Sequence, residues 1–164
     1  SEHRDMLPIT ELCLVMAARV QHIEQVIKPA LDADRVVICD RFYGATVAYQ
    51  GYAAGVRREV IAQSHALLCG GMQPDITVLL DCPAAIGLGR SRSRNAAAGV
   101  EQAEGRFEDK ELSFHERVRR GYLTLAAETP ERYIVINAEP PVDAVHRDVC
   151  AGVLPVFRER GYGV

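Results

Sequence analysis

Three short apolar runs, RVVIC (35–39), ITVLL (76–80) and YIVI (133–136), constrain the fold of this 164-residue chain more than any other feature. Each is rich in β-branched residues and apolar on both faces, so each reads as a strand buried from two sides. Helical periodicity fills the spaces between them. Leu12, Val15, Met16, Val20, Ile23, Ile27 and Leu31 recur at three- and four-residue steps, which predicts one amphipathic helix over 10–31. Thr10 is its expected N-cap, and Pro29 lies near its end. A helix over 56–69 is expected to stop at Gly70-Gly71, because glycine accepts the left-handed conformation that ends helices. Further helices are expected over 83–92, 110–127 and 141–158, with a loop over 93–108. Two-face-buried strands alternating with helices predict an α/β domain, a parallel sheet with helices on both faces. No internal repeat or linker divides the chain, so residues 1–164 read as a single domain.

Composition removes some functions. The net charge of −3 does not suit a protein that coats nucleic acid, and no apolar stretch is long enough to span a membrane. All the basic residues except Lys28 and Lys110 are arginine. Arginine suits planar, bidentate recognition of phosphate, although a G+C-rich genome gives the same bias. The five cysteines (13, 39, 69, 82 and 150) form no C-x-x-C and read as reduced, mostly buried thiols of a cytoplasmic protein. The histidines (3, 22, 65, 115 and 146) show no metal-ligand spacing and read as surface or partly buried side chains; no protein-held metal is expected among these residues.

The first strand runs into DRFYGATVAYQG (40–51). In open parallel α/β sheets, ligands bind beyond the carboxyl ends of the strands. Asp40 and Arg41 would stand at such an end, where Arg41 could grip a phosphate with two parallel hydrogen bonds and Asp40 could orient it or help hold a metal. A strand-terminal salt bridge is the simpler reading of Asp-Arg alone. The neighbours favour a ligand. Gly44 and Ala45 allow close approach, and Thr46, Tyr49 and Gln50 offer a hydroxyl, a phenol and an amide that could read a base edge. Together they suggest a nucleoside monophosphate site. Elsewhere, Asp81 reads as the cap of the helix after it, and Arg57-Arg58 and Arg117, Arg119 and Arg120 read as solvated helix faces.

DRFYGATVAYQG resembles the DR-x-x-x-S-x-x-A-Y-Q-G segment of bacterial thymidylate kinases. The likeness extends through TELCLVMAARVQHIEQVIKPAL (10–31), PDITVLLDCPAAIGLGRSRSR (74–94) and GRFEDKELSFHERVRRGYLTLA (105–126), in the family's order and over nearly the whole chain. The resemblance implies a P-loop NTPase-type fold, three of whose five strands would lie in this chain. It implies transfer of the ATP γ-phosphoryl to dTMP, giving dTDP, with Mg²⁺ bridging the ATP phosphates and a homodimer formed through the first helix. By the same resemblance, Arg41 holds the dTMP phosphate and Arg19 reaches thymine O4. Thr46 and Gln50 meet the base edge, Tyr49 packs under the deoxyribose, and Val15 stands where the family stacks a Phe on the base. Arg90, Arg94 and Arg106 match arginines that approach the transferring phosphates from the lid (93–108), with Glu108 beside them. Phosphoryl transfer needs positioning and charge neutralisation more than covalent chemistry, which suits such a set. Without the resemblance, a solvated arginine cluster paired with Glu101, Glu104 and Glu108 is an equal reading of these arginines.

The pattern also breaks. Val15 forgoes aromatic stacking, a term of roughly 1–3 kcal/mol in other nucleic-acid sites. Ala45, Ala54 and Asn137 replace a Ser, an Arg and an Asp of the family pattern. Val15 and Ala45 keep a kinase of another nucleoside monophosphate open as an alternative. No G-x-x-x-x-G-K-[ST] occurs, so the loop that cradles ATP phosphates is not among these residues. The expectation is a fragment of a longer kinase that is inactive alone, its missing strand lying between 35–39 and 76–80; a non-catalytic nucleotide-binding relative is the other reading.

Overall fold

The computed structural model describes residues 6–98 and 110–163, with the backbone alone for 95–98. These fall into two compact units, one drawn from Ser1–Gln73 with Arg120–Tyr122, the other from Pro74–Arg119 with Leu123–Val164.

The first unit is helical. Helix α1 (Pro8–His22) runs on through a π-helical turn, Ile23–Ile27, into α2 (Lys28–Asp32). Its start differs from the expected one. Leu7 is the N-cap and Pro8 opens the helix, so Thr10 lies inside the first turn. Proline suits that place because its missing N–H has no intrahelical partner there anyway. Leu12, Met16, Arg19, Ile23 and Ile27 are buried on one face, while Leu14, Val26 and Leu31 are about half exposed. After α2, residues 35–39 are not a strand. They have no ladder partner among the described residues, Ile38 is 94% exposed and Val36 48%. An apolar run becomes a strand only when a neighbour takes its N–H and C=O groups.

The segment that follows, to which the sequence pattern assigned no element, is helical. Helix α3 (Tyr43–Thr46) continues into a π-helical stretch, Val47–Ala53. Gly51 lets this stretch pack closely: a Cβ would stand 3.2 Å from Ile61 Cδ1 of α4 (Arg58–Cys69). Helix α4 buries Ile61, His65 and Cys69 and ends, as expected, at Gly70 with φ +61°. His65, 2% exposed, corrects the reading of the histidines as surface or partly buried. All five cysteines are free thiols. Only Cys69 is buried, against the expectation that most would be, because the apolar runs beside Cys39 and Cys82 are themselves only partly covered.

The second unit holds the sheet. Strands β1 (Thr77–Asp81) and β2 (Tyr133–Asn137) pair in parallel, from Thr77 opposite Tyr133 to Asp81 opposite Asn137. Two of the three expected strands are therefore formed, but neither is buried from two sides: Leu80 is 52% and Val135 48% exposed, because among the described residues each strand pairs only with the other. The helices are α5 (Ala84–Ala98), α6 (Leu112–Glu128) and α7 (Val142–Glu159). Helix α5 runs six residues further than expected, so 93–98 belong to a helix and not to a loop; the rest of the expected lid, to 108, lies outside the described residues. Among the described residues no helix is long and apolar enough to cross a membrane.

Helix α7 approaches β2 closely at Gly152, where a Cβ would stand 2.7 Å from Ile134 Cγ2. Gly152→Ala should therefore destabilise by about 1–3 kcal/mol through overpacking. Gly89→Ala, in α5 with nothing within 4 Å, should instead stabilise by up to about 1 kcal/mol through helix propensity. Urea denaturation midpoints should move in opposite directions for the two variants.

Candidate functional site

One candidate residue of the first unit is a buried cation that another, Thr46, helps to hold. Arg19, on α1, is 8% exposed. Its Nη2 donates to the Phe42 carbonyl at 3.1 Å and to Thr46 Oγ1 at 2.5 Å, and Nη1 approaches Met16 Sδ at 3.5 Å. The guanidinium also lies over the Phe42 ring, 5.3 Å from its centre. These partners are neutral, and burial pulls the Arg19 pKa below its ordinary value. The cost of burying a cation is offset here by charge-assisted hydrogen bonds and a ring face.

The turn carrying Phe42 is strained. Arg41 has φ +61°, a left-handed conformation that costs a non-glycine residue about 1–2 kcal/mol. Its exposed guanidinium stands over the Tyr49 ring at 5.2 Å. Asp40 is exposed. Burial, and then the Asp40 carboxylate, push the Cys39 thiol up, so Cys39 is a poor nucleophile. Tyr49 packs edge-on to Tyr122 at 6.5 Å. The π-helical stretch turns Gln50 inward, 4% exposed, where Nε2 donates to Glu11 Oε1 at 2.8 Å. Val15 is half-buried on the same helix, next to Met16.

The structure thus brings Arg19 to Thr46 and Arg41 to Tyr49, and it gives Gln50 a partner that sequence reasoning missed. Glu11 lies 39 residues from Gln50 along the chain, and no local pattern signals the pair. π-Helical turns are rare and often occur at functional sites; here one carries Tyr49, Gln50 and Gly51.

In the second unit, Arg119 makes a bidentate pair with Asp81 at the end of β1, at 2.7 and 2.8 Å. This corrects two readings. Asp81 does not cap the next helix, because its carboxylate faces α6, and Arg119 is not simply solvated. The pair raises the Arg119 pKa, chiefly through the hydrogen bond. Arg90 donates to the Ala138 and Glu139 carbonyls at 2.5 and 2.6 Å. It thereby fastens the turn after β2. Arg94 reaches Ser91 Oγ at 3.2 Å. Arg106 and Glu108 lie outside the described residues. Among the described residues no three His, Cys, Asp or Glu side chains come together to hold a metal ion.

Residues 1–149 match the family model described as thymidylate kinase. The chain is 47% identical over 154 residues to the thymidylate kinase of Desulfovibrio desulfuricans, covering 94% of this chain and 71% of that protein. It is 54% identical over 135 residues to that of Solidesulfovibrio magneticus, covering 82% of this chain and 65% of the relative. The crystal structure of thymidylate kinase from Ehrlichia chaffeensis superposes with a TM-score of 0.68 at 28% identity, over 91% of this chain and 68% of that one.

Thr46 is 1% exposed, so removing its hydroxyl leaves a buried guanidinium short of an acceptor. Thr46→Val should cost about 1–3 kcal/mol, read as a lower urea midpoint at unchanged slope, and Thr46→Ser should restore most of it.

Proposed function

Since the chain belongs to the thymidylate kinase family, with its P-loop NTPase-type α/β fold, we propose that it serves the transfer of a phosphoryl group from ATP to dTMP, giving dTDP for nucleotide biosynthesis. The observation that carries this reading is the buried Arg19–Thr46 hydrogen bond, set in the same unit as the strained, solvent-facing Arg41. A fixed cation with a hydroxyl and an amide near by suits the edge of a base. An exposed arginine suits the acceptor phosphate. In this reading Arg41 holds the dTMP phosphate, with Asp40 beside it. Arg19, Thr46 and Gln50 read thymine, Tyr49 lies under the sugar, and Val15 lines the base pocket. Arg94 and Arg106 neutralise charge on the transferring phosphoryl group, with Glu108 near them. Arg90, bound to two carbonyls, would have to leave them to join.

Mg²⁺ would enter with ATP and supply neutralisation of phosphate charge; among the described residues no group of three or more His, Cys, Asp or Glu is placed to hold it. The loop motif that cradles those phosphates does not occur in these 164 residues, so the acceptor side and lid are what this sequence offers to the reaction. The exposed Leu14, Val26 and Leu31 on the α1–α2 rod would serve a homodimer, and the free thiols suit a cytoplasmic enzyme. Val15 and Ala45, where the family pattern has Phe and Ser, favour a second reading, a broader nucleoside monophosphate acceptor range.

In the intact kinase, Arg41→Ala should raise the KM for dTMP at least about tenfold while the KM for ATP stays within about twofold, since binding energy to the acceptor, equal in ground and transition states, is removed. Equal loss for both substrates would make the turn structural. Running dUMP, CMP and AMP as alternative acceptors decides between the two readings.

A further inference from the structure

His65 has no part in the family-based reading, yet its surroundings are specific. It lies on α4, 2% exposed. Its Nε2 stands 2.7 Å from the Met72 carbonyl. A carbonyl only accepts, so Nε2 carries the proton and donates. The ring lies against Tyr43, with centres 4.5 Å apart and planes tilted by 31°, and meets Phe42 edge-on at 6.0 Å. Those two residues directly follow the strained Arg41, and Phe42 is also the residue whose carbonyl and ring receive Arg19.

We infer that His65 is a positioning residue for the acceptor site: its ring, anchored on Met72, clamps the Phe42–Tyr43 turn and so keeps Arg41 in its left-handed conformation and Arg19 on its carbonyl. The inference rests on the acceptor-site reading given above. The physical reason is that a strained non-glycine conformation persists only where its surroundings over-determine it. Without the ring, Arg41 can relax to negative φ, and that rotation swings its side chain.

The clamp works with a neutral imidazole. Among the described residues Nδ1 is buried without a hydrogen-bond partner, so a second proton would create a buried donor that none of them accepts. The groups facing the ring are the Arg19 guanidinium from α1, the Tyr43 phenol from α3 and the Met72 carbonyl after α4. Burial is the largest influence and lowers the His65 pKa; the Met72 carbonyl opposes it, and the charge of Arg19 adds to it. With a folded pKa below the unfolded value, the stabilisation is complete above about pH 6.5 and is lost as the pH falls through the folded pKa.

The test is kinetic, on the intact kinase. His65→Leu removes ring and donor and should raise the KM for dTMP about tenfold, with kcat and the KM for ATP within about twofold. His65→Phe keeps a ring against Tyr43 and should recover most of that loss. The dTMP phosphate itself titrates near pH 6. The pH effect is therefore read as a difference: the KM for dTMP should rise more steeply on acidification in the wild type than in His65→Phe. A lowered melting temperature with an unchanged KM for dTMP in both variants would overturn the positioning role. If neither variant folds, imidazole NMR of the wild type decides. The His65 resonances should shift when dTMP is added, and their indifference to dTMP would overturn the role equally. Arg41→Ala separates the failures. If it weakens dTMP while the His65 variants are silent, only the positioning role falls; if all are silent, the acceptor-site reading falls as well.

Discussion

A buried guanidinium that must be satisfied organises the first unit. Arg19 projects from α1 into a space closed by Phe42, Thr46 and Met16, and its hydrogen-bond partners there are neutral. A cation in such a place is costly unless its donors are taken up, so α1 and the 42–46 segment are bound to a common geometry. That link fixes the carbonyl of Phe42, and with it the direction in which the chain leaves Arg41. The same helix offers Glu11 to Gln50 one π-turn later. A polar set of this kind contributes less to net stability than an apolar core of equal volume would. It does hold one cation, one hydroxyl and one amide in fixed relation, which is what reading a base requires.

The strain at Arg41 belongs to the same arrangement. A left-handed arginine next to a buried-cation anchor is unfavourable locally and is sustained by packing around Phe42 and Tyr43. The aromatic faces of Phe42 and Tyr49 each receive an arginine, one buried and one exposed. The buried pair is architecture; in the proposed function the exposed arginine would exchange its ring for a phosphate.

Much of the fold was legible because it depends on local pattern. β1 and β2 follow from apolar, β-branched runs, although Leu80 and Val135 are about half exposed and so the burial on two faces read from those runs is not met. The end of α4 follows from Gly70, and the buried face of α1 from the spacing of Leu12, Met16, Ile23 and Ile27. What escaped was non-local. Residues 35–39 have strand composition, but a ladder needs a partner, and none stands beside them among the described residues. The helix over 43–53 is hidden by Gly44, Thr46, Val47 and Gly51, all weak helix formers, which contacts to α1 and α4 override. The candidate site was legible mainly as a resemblance. Arg19 and Thr46 lie 27 residues apart, and their hydrogen bond has no sequence signature. The pairing of Asp81 with Arg119 and the burial of His65 likewise depend on what folds against them.

The central claim is that the 40–51 segment and Arg19 together read the acceptor nucleotide. A crystal structure of the protein with dTMP tests it most directly. The prediction is a phosphate within hydrogen-bond distance of Arg41, lifted from the Tyr49 ring, and a base edge meeting Arg19 and Gln50. A nucleotide bound elsewhere, with Arg41 still on Tyr49, would contradict it.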